Sequence, residues 1–200
     1  MKKCLGRGAQ ASVYQAHLTN EVHDSDLNPT ESYAIKVFEG PVQLLSDITS
    51  EVQVHQQFGN HQNIMPLKAF YENSSEVKVP RNIPRDDRDQ FYKWRQGYES
   101  VVGKPVMVFE ECRYGDLFNF VRAHGEIRDP KFLKYLFLQV CQGLNALHTD
   151  GNMAHMDIKL ENILIGNDGK LKLCDFGMVQ PADADLTKRM GTEMYMAPEV

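Results

Sequence analysis

The chain has 200 residues, of which 42% are hydrophobic and 24% are charged, a composition typical of a folded globular protein. Its net charge of −5 disfavours nucleic-acid binding as the main function, because phosphate backbones are bound through clustered Lys and Arg. No stretch approaches the roughly 20 apolar residues of a membrane-spanning helix. No apolar run follows the lysines at the start, so we expect neither a secretory signal nor a membrane partner.

The four cysteines, Cys4, Cys112, Cys141 and Cys174, are scattered along the sequence. No two of them have the spacing of a metal site or a redox motif. Because isolated thiols are typical of reducing compartments, we expect reduced cysteines in a cytoplasmic protein, with the nucleus as the alternative.

The first part of the chain is predicted to be rich in strands. Residues 2–18 have the pattern of a strand, a glycine-rich turn and a second strand, and the polar segment 19–31 that of a turn between strands. Short apolar strands are predicted at 32–38 and 65–72, with an amphipathic helix at 42–58 between them. This part therefore has the pattern of a sheet with one main helix.

Residues 73–104 interrupt this pattern with a charged, proline-containing segment that has little periodicity. We interpret it as a long inserted loop with a short helix around 87–96, since loops of this length are usually functional or disordered. Two interpretations stay open, a flexible insertion and a partner-docking segment that uses Phe91, Tyr92 and Trp94.

The second part is predicted to be mainly helical. A strand at 105–111 is followed by a short helix at 116–123, and small strands are predicted at 162–165 and 170–174. The strongest helix pattern spans 129–149, with Asp129 before Pro130 as its capping signal. Its apolar face, at 3.6-residue periodicity, comprises Phe132, Leu133, Leu136, Phe137, Val140, Leu144 and Leu147.

The segment GRGAQASV at 6–13 places Gly6 and Gly8 between two strands. Glycines let backbone amides approach phosphates closely, so this turn is a candidate phosphate-binding loop. A plain hairpin is the alternative for this segment taken by itself.

Lys36 lies inside the apolar strand AIKVF, where an unpaired charge is costly. Glu51 on the following helix offers a partner, and such a pair would direct one positive charge toward phosphates. The alternative is an edge-strand lysine that points to solvent.

The segment HMDIKLENIL at 155–164 concentrates Asp157, Lys159 and Asn162 in a short irregular stretch after the long helix. A carboxylate can accept a proton from an attacking hydroxyl, and a nearby lysine can neutralise charge on a transferring group. An asparagine oxygen suits Mg²⁺, as does the carboxylate of Asp175 in the DFG segment that follows.

In this order, the segments GRGAQASV, AIK, HMDIKLEN, DFG and APE, together with Glu51, resemble the eukaryotic protein kinase family. The lysine two residues after Asp157 and the GT–YMAPE pattern at 191–199 resemble the serine/threonine type. The resemblance covers the whole chain apart from 73–104.

The resemblance implies an α+β, two-lobed fold with a strand-rich N-lobe at 1–111 that holds one main helix and the insert. An incomplete helical C-lobe at 112–200 would end after the APE motif. It further implies ATP-dependent phosphorylation of serine or threonine in protein substrates, with ATP and Mg²⁺ as cofactors.

Family roles are transferred by matching position. Asp157 would be the catalytic base, Lys159 the γ-phosphate contact, and Asn162 and Asp175 the metal ligands, with Thr192 packed beside Asp157. Lys36, held by Glu51, would bind the α- and β-phosphates. The remaining nucleotide contacts would be Leu5, Gly6, Gly8, Val13, Ala34, Phe109, Glu110, Cys112, Asp116, Leu117 and Leu164.

Three residues depart from the family pattern. Ala11 stands at the third glycine of the loop, which stiffens it, and Met156 replaces the arginine that usually precedes the catalytic aspartate. His55 stands one helical turn after Glu51, where an apolar residue is usual. We expect His55 to pack in the stack with Leu67, His155 and Phe176, and pH sensing is the alternative.

The sequence reaches Val200 directly after the APE motif, whereas the family continues with further helices. We expect a fragment of a longer product or a mispredicted gene model, and without those helices the apolar face of 129–149 would lack part of its covering. The alternatives to an active kinase are an ATP-binding kinase-like module and a truncated fragment with little or no activity.

The presence of Met156 in place of the usual arginine leads to a prediction about regulation. That arginine normally receives an activation-loop phosphate, which methionine cannot bind. A full-length Thr187→Ala protein should therefore retain most of its phosphoryl-transfer rate in a kinase assay. A large loss of activity in this variant would refute the prediction.

Overall fold

The computed structural model of the chain describes residues 3–8, 11–17, 27, 31–39, 45–73, 102–184 and 190–198. The short helix predicted at 87–96, the aromatic residues of the insert and Thr187 lie outside these ranges. The described residues belong to two compact units. The first holds the residues up to 39, together with 67–73 and 102–111, and the second holds 45–66 and the residues from 112 onward.

The described strands of the first unit form a five-stranded antiparallel sheet with the order β1-β2-β3-β5-β4. The strands predicted in this part are confirmed, and β3 has the bounds that the sequence indicated. The strands are β1 Lys3–Arg7, β2 Ala11–His17, β3 Ser32–Phe38, β4 Leu67–Tyr71 and β5 Val106–Glu110.

The two faces of this sheet have different surroundings. Val13 pairs with Lys36, Lys36 with Met107, and Ala34 with Phe109, so these five side chains share one face. The opposite face carries the apolar cluster of the unit, which is formed by Leu27, Tyr33, Val37, Val106 and Val108. The cluster fixes which face of β3 presents its lysine.

Three α-helices of the second unit lie within the described ranges. They are α1 Leu45–Phe58, α2 Leu117–His124 and α3 Pro130–Asn145, after which the chain continues in a π-helical turn, Ala146–Asp150. The capping signal is confirmed, since the Asp129 carboxylate accepts a hydrogen bond from the Lys131 backbone N–H at 2.9 Å. The helices predicted at 42–58 and 116–123 are also confirmed within the described residues.

The apolar face of α3 is covered only in part by the described residues. Leu136 and Val140 are buried in the core, as is Leu147 in the following turn. Leu133 and Phe137, in contrast, are exposed, the latter to 67%. The buried positions form a narrower stripe than the periodicity alone indicates.

Four short strands are also found among the described residues of the second unit. β6 Met153–Ala154 pairs with β9 Gln180–Pro181, and β7 Ile163–Ile165 pairs with β8 Leu171–Leu173. The apolar residues of β7 and β8 join α3 in the main core cluster. Within the described ranges, no helix is long and apolar enough to cross a membrane.

A buried network of hydrogen bonds, which we call the Asn63 network, holds β8 in place. The Asn63 amide nitrogen donates to the Leu171 carbonyl at 2.9 Å and to Gln139 Oε1 at 3.3 Å, while Leu171 N–H donates to the same Gln139 oxygen at 3.0 Å. Leu173 also exchanges backbone hydrogen bonds with residues 63 and 65. These bonds fix the strand that leads into Asp175.

The close packing of α3 against the Asn63 network leads to a prediction about the free energy of unfolding. A Cβ at Gly143 would lie 2.8 Å from the Asn63 carbonyl oxygen and 2.9 Å from Leu173 Cδ1. In an open helix position Gly→Ala stabilises by up to about 1 kcal/mol, but overpacking costs about 1–3 kcal/mol. We expect Gly143→Ala to lower the free energy of unfolding by about 1–2 kcal/mol in urea titrations.

The neighbouring exposed residue provides the control. Gln142→Ala should change the free energy of unfolding by no more than about 0.5 kcal/mol. A stabilised Gly143→Ala protein would show that the helix is not packed closely at this point.

Candidate active site

The segment 155–162 connects β6 to a 3₁₀ turn, Leu160–Asn162, and places Asp157 in a buried position. Met156 has a φ of 65°, in the left-handed region that non-glycine residues rarely adopt. This backbone conformation separates the directions of the side chains on either side of Met156. The segment thereby turns His155 and Asp157 to different surroundings.

Both carboxylate oxygens of Asp157 are hydrogen-bonded. Lys159 Nζ donates to Oδ2 at 2.6 Å, and the Thr192 hydroxyl donates to Oδ1 at 2.7 Å. Lys159 Nζ also donates to the Thr192 hydroxyl at 2.8 Å, and Asn162 Nδ2 donates to Oδ2 at 3.0 Å. The expected packing of Thr192 beside Asp157 is confirmed.

This network keeps Asp157 ionised. Burial raises the pKa of the carboxyl, but hydrogen bonds from Lys159, Thr192 and Asn162, together with the lysine charge, outweigh burial and lower the pKa below its ordinary value. A carboxylate that is ionised at neutral pH and lies beside a lysine can accept a proton from a hydroxyl.

Asn162 directly precedes β7 and Asp175 lies two residues after β8, so both are at the same end of this antiparallel pair. The Cys174 N–H donates to the Asn162 carbonyl at 3.0 Å, which extends the strand pairing by one step. Asp175 follows with a φ of 64° and an exposed side chain. The Asn162 amide nitrogen is directed to Asp157, so its amide oxygen points away from that residue.

The side-chain oxygens of Asn162 and Asp175 are suitable ligands for Mg²⁺. Among the residues that the structure describes, no group of three or more His, Cys, Asp or Glu side chains is placed to hold a metal. Mg²⁺ does not require such a group, because it is usually bound by one or two carboxylates with waters and substrate phosphates. These two residues would supply such a partial ligand set.

Phe176 is buried between two histidines, and its position fixes the chain directly after Asp175. The ring centroid of His55 lies 4.8 Å from that of Phe176 in an edge-on arrangement, and that of His155 lies 5.2 Å away. His55 Nδ1 donates to the Met65 carbonyl at 2.7 Å. The expected packing of His55 with Phe176 is confirmed.

His155 is held as the neutral ring. Its Nδ1 accepts from the Asp157 N–H at 3.4 Å, and its Nε2 donates to the Cys174 carbonyl at 3.2 Å. Burial lowers the pKa of His155 below its ordinary value of 6.5, and this outweighs the opposing effect of the bond to Cys174.

Glu51 is buried on α1, on the same side of the helix as His55. Its Oε1 lies 3.9 Å from His55 Nε2, and its Oε2 lies 3.6 Å from where a Cβ on Gly177 would stand. The carboxylate therefore lies next to the segment 175–177.

The first unit carries the other group of predicted nucleotide contacts. Val13, Ala34, Lys36 and Phe109 share the face opposite the apolar cluster, and Lys36 Nζ lies 5.2 Å from the Phe38 ring centroid. Gly8 N–H donates to the Ala11 carbonyl at 2.8 Å. Leu5 and Gly6 lie on β1, and Glu110 ends β5.

Three further predicted contacts lie together in the second unit. Asp116 forms an isolated backbone bridge with Leu164, and Gly115 N–H donates to the Cys112 carbonyl at 3.0 Å. Asp116 also caps α2 by accepting from Asn119 N–H at 2.7 Å. Leu117, which was also predicted to contact the nucleotide, is buried in the main core cluster.

Two supporting contacts were not predicted from the sequence. Gly191 has a φ of 104°, and a Cβ there would lie 2.5 Å from the Met156 carbonyl oxygen, so only glycine allows this close approach. The Tyr195 hydroxyl donates to Glu161 Oε2 at 3.1 Å. The glycine directly before Thr192 was the available signal for the first contact.

A family profile described as "Protein kinase domain" matches residues 1–200. The chain therefore belongs to the protein kinase family, whose members use ATP and Mg²⁺ and act on protein substrates. This confirms the family and the α+β kinase-like fold inferred from the motifs.

Among its relatives, the chain is 30% identical to "Serine/threonine-protein kinase CHK1" of Saccharomyces cerevisiae, with 98% of the chain and 32% of that protein covered. It is 27% identical to "Probable cell cycle serine/threonine-protein kinase CDC5 homolog" of Encephalitozoon cuniculi, with 100% and 35% covered. It is 26% identical to "Mitogen-activated protein kinase 15" of Caenorhabditis elegans, with 100% and 38% covered. The chain thus spans about a third of the length of these relatives.

The lowered pKa of His155 predicts sensitivity to acid. Below pH 6.5 the unfolded chain binds a proton at this residue that the folded ring does not, so stability is full above pH 6.5 and is lost as the pH falls toward the folded pKa. His155→Gln should reduce the slope of unfolding free energy against pH in this window, by at most about 1.4 kcal/mol per pH unit. The measurement is a series of urea titrations between neutral and mildly acidic pH, and an unchanged slope would contradict it.

Proposed function

We propose that this chain transfers the γ-phosphoryl group of ATP to a serine or threonine hydroxyl of a protein substrate. The observation that carries the proposal is the hydrogen-bonded set of Asp157, Lys159 and Thr192, which joins a buried ionised carboxylate to a lysine. Relatives named as serine/threonine-protein kinases support the same acceptor class.

The proposed reaction is an in-line displacement. The substrate hydroxyl oxygen forms a bond to the γ-phosphorus, the bond from the γ-phosphorus to the β–γ bridging oxygen breaks, and ADP leaves. Asp157 orients the hydroxyl and accepts its proton, and Lys159 balances the negative charge of the transferring group. Thr192 holds both side chains, so that they need little rearrangement during the reaction.

The nucleotide contacts in the proposal are assigned by the resemblance to the kinase family. We assign the phosphates to Lys36, with Glu51 as its partner, and the metal to Asn162 and Asp175. Bound Mg²⁺ would neutralise phosphate charge. The remaining nucleotide contacts in the proposal are Leu5, Gly6, Gly8, Val13, Ala34, Phe109, Glu110, Cys112, Asp116 and Leu164.

Two broader expectations remain part of the proposal. The division into lobes at 1–111 and 112–200 is retained as a prediction. A cytoplasmic or nuclear location is supported by the four cysteines, all of which are free thiols.

Replacement of Lys36 tests the proposal. Lys36→Ala removes the charge assigned to the phosphates, so the γ-phosphoryl transfer rate should fall by at least about 10²- to 10³-fold while the thermal unfolding curve changes little. The assay measures transfer of labelled γ-phosphate to a mixture of protein acceptors.

The matched control is Lys68→Ala, which removes a lysine from β4 of the same sheet. This variant should retain the wild-type transfer rate. A correctly folded Lys36→Ala protein that transfers the γ-phosphoryl group at the wild-type rate would contradict the role given to Lys36.

A further inference from the structure

Lys36 and Phe38 contact each other on one face of β3. They stand two residues apart on the strand, so both side chains project from the same face. The Lys36 ammonium nitrogen lies over the Phe38 ring, 5.2 Å from its centroid. This is within the roughly 6 Å range of a cation–π interaction, in which the negative face of an aromatic ring attracts a positive charge. Both residues belong to the first unit, so the contact is a property of that unit alone.

The Phe38 ring is fixed well enough to set the position of a flexible neighbour. Phe38 is only 7% exposed, it pairs with Ala11 of β2, and its N–H donates to the Pro105 carbonyl at 3.1 Å. It belongs to neither of the two apolar clusters found among the described residues. The ring is therefore a fixed surface outside both clusters, and Lys36 lies against it.

The position of the ring shows in which direction the lysine extends. Both residues opposite Lys36 on the neighbouring strands are apolar, so its aliphatic part lies beside apolar side chains. Phe38 is the last residue of β3, and it pairs with Ala11, whose carbonyl accepts the hydrogen bond from Gly8 N–H. The ammonium group is therefore directed along the sheet toward the glycine-rich turn between β1 and β2.

An ammonium group held in this way is prepared to meet an anion. A lysine side chain has many rotamers, and fixing one of them when a ligand binds costs conformational entropy. Contact with a fixed ring restricts those rotamers before the ligand arrives, which lowers the cost of binding. The ring carries no net charge, so it attracts the ammonium group without neutralising it. A phosphate group would thus meet a positive charge that is already in place.

We propose that Phe38 is a positioning residue for Lys36, whose ring holds the ammonium group where the phosphates of the nucleotide bind. This inference rests on the proposed function, from which it takes the role of Lys36, and it adds a residue that acts through the lysine. The contribution of Phe38 then depends on the charge of the ring face, on the presence of phosphates in the ligand and on Lys36 itself.

Fluorinated phenylalanines at position 38 test the electrostatic part of the proposal. They keep nearly the shape of the ring, and each added fluorine withdraws negative charge from its face. With mono-, tri- and pentafluorophenylalanine, the Kd for ATP in the presence of Mg²⁺ should rise stepwise, by about 2- to 30-fold over the series. The measurement is isothermal titration calorimetry, with thermal unfolding curves as the check on folding. A Kd that does not follow the fluorine content would overturn the proposal.

Two further titrations show whether the ring acts through Lys36 on phosphates. Adenosine lacks phosphates, so its Kd should stay constant across the fluorinated series. In a Lys36→Met background, fluorination should change the Kd for ATP by less than about 2-fold, because the interaction partner is gone. Equal losses for ATP and adenosine, or a full effect in the Lys36→Met background, would show that the ring only shapes the site and would overturn the proposal.

Phe70 provides the matched control residue. It lies on β4, two strands away from β3 in the same sheet. Pentafluorophenylalanine at position 70 should leave the Kd for ATP at the wild-type value. A loss as large as that at position 38 would attribute the effect to fluorination of the sheet in general and would count against the proposal.

Comparison of binding with transfer separates this inference from the proposed function. A stepwise rise of the Kd for ATP, in a protein that transfers phosphate to no acceptor, would support the role of Phe38 and contradict the kinase activity. Transfer of labelled γ-phosphate by a protein whose Kd for ATP is the same across the fluorinated series would leave the kinase activity standing and remove the role of Phe38.

Discussion

The rest of the site depends on the need to stabilise a buried carboxylate. Asp157 is 7% exposed, and an ion at such a depth is tolerated only when hydrogen bonds replace the lost water. Lys159, Asn162 and Thr192 supply those bonds. Because Thr192 lies 35 residues away in sequence, the same requirement ties the segment 190–196 to the segment 155–162.

The segments around this carboxylate are held in place by other contacts within the second unit. The Asn63 network fixes β8, which precedes Asp175 in the chain. Phe176, which follows Asp175, packs against His55 and His155. Asp175 is therefore exposed on a stretch whose two ends are anchored. An exposed side chain on a fixed backbone is suited to binding a metal ion together with phosphate groups.

Much of this arrangement could be predicted from the sequence, because strand periodicity and a short polar motif are local signals. The bounds of β3 and the crowding of Asp157 with Lys159 follow from neighbouring residues alone. The hydrogen bond of Asn63 with Gln139 could not be predicted in this way, because it joins residues 76 apart in sequence and no local pattern encodes their pairing. The exposure of Phe137 was also beyond prediction, since periodicity identifies an apolar face but not how much of it another element covers.

The most direct test of the central claim is single-turnover γ-phosphoryl transfer by Asp157→Asn. This change keeps the shape of the side chain and removes the proton acceptor. The account predicts a loss of about 10²- to 10⁴-fold in the transfer rate, with nucleotide binding retained. The exposed Asp183→Asn variant serves as the control and should transfer at the wild-type rate. A folded Asp157→Asn protein that transfers phosphate as fast as this control would contradict the account.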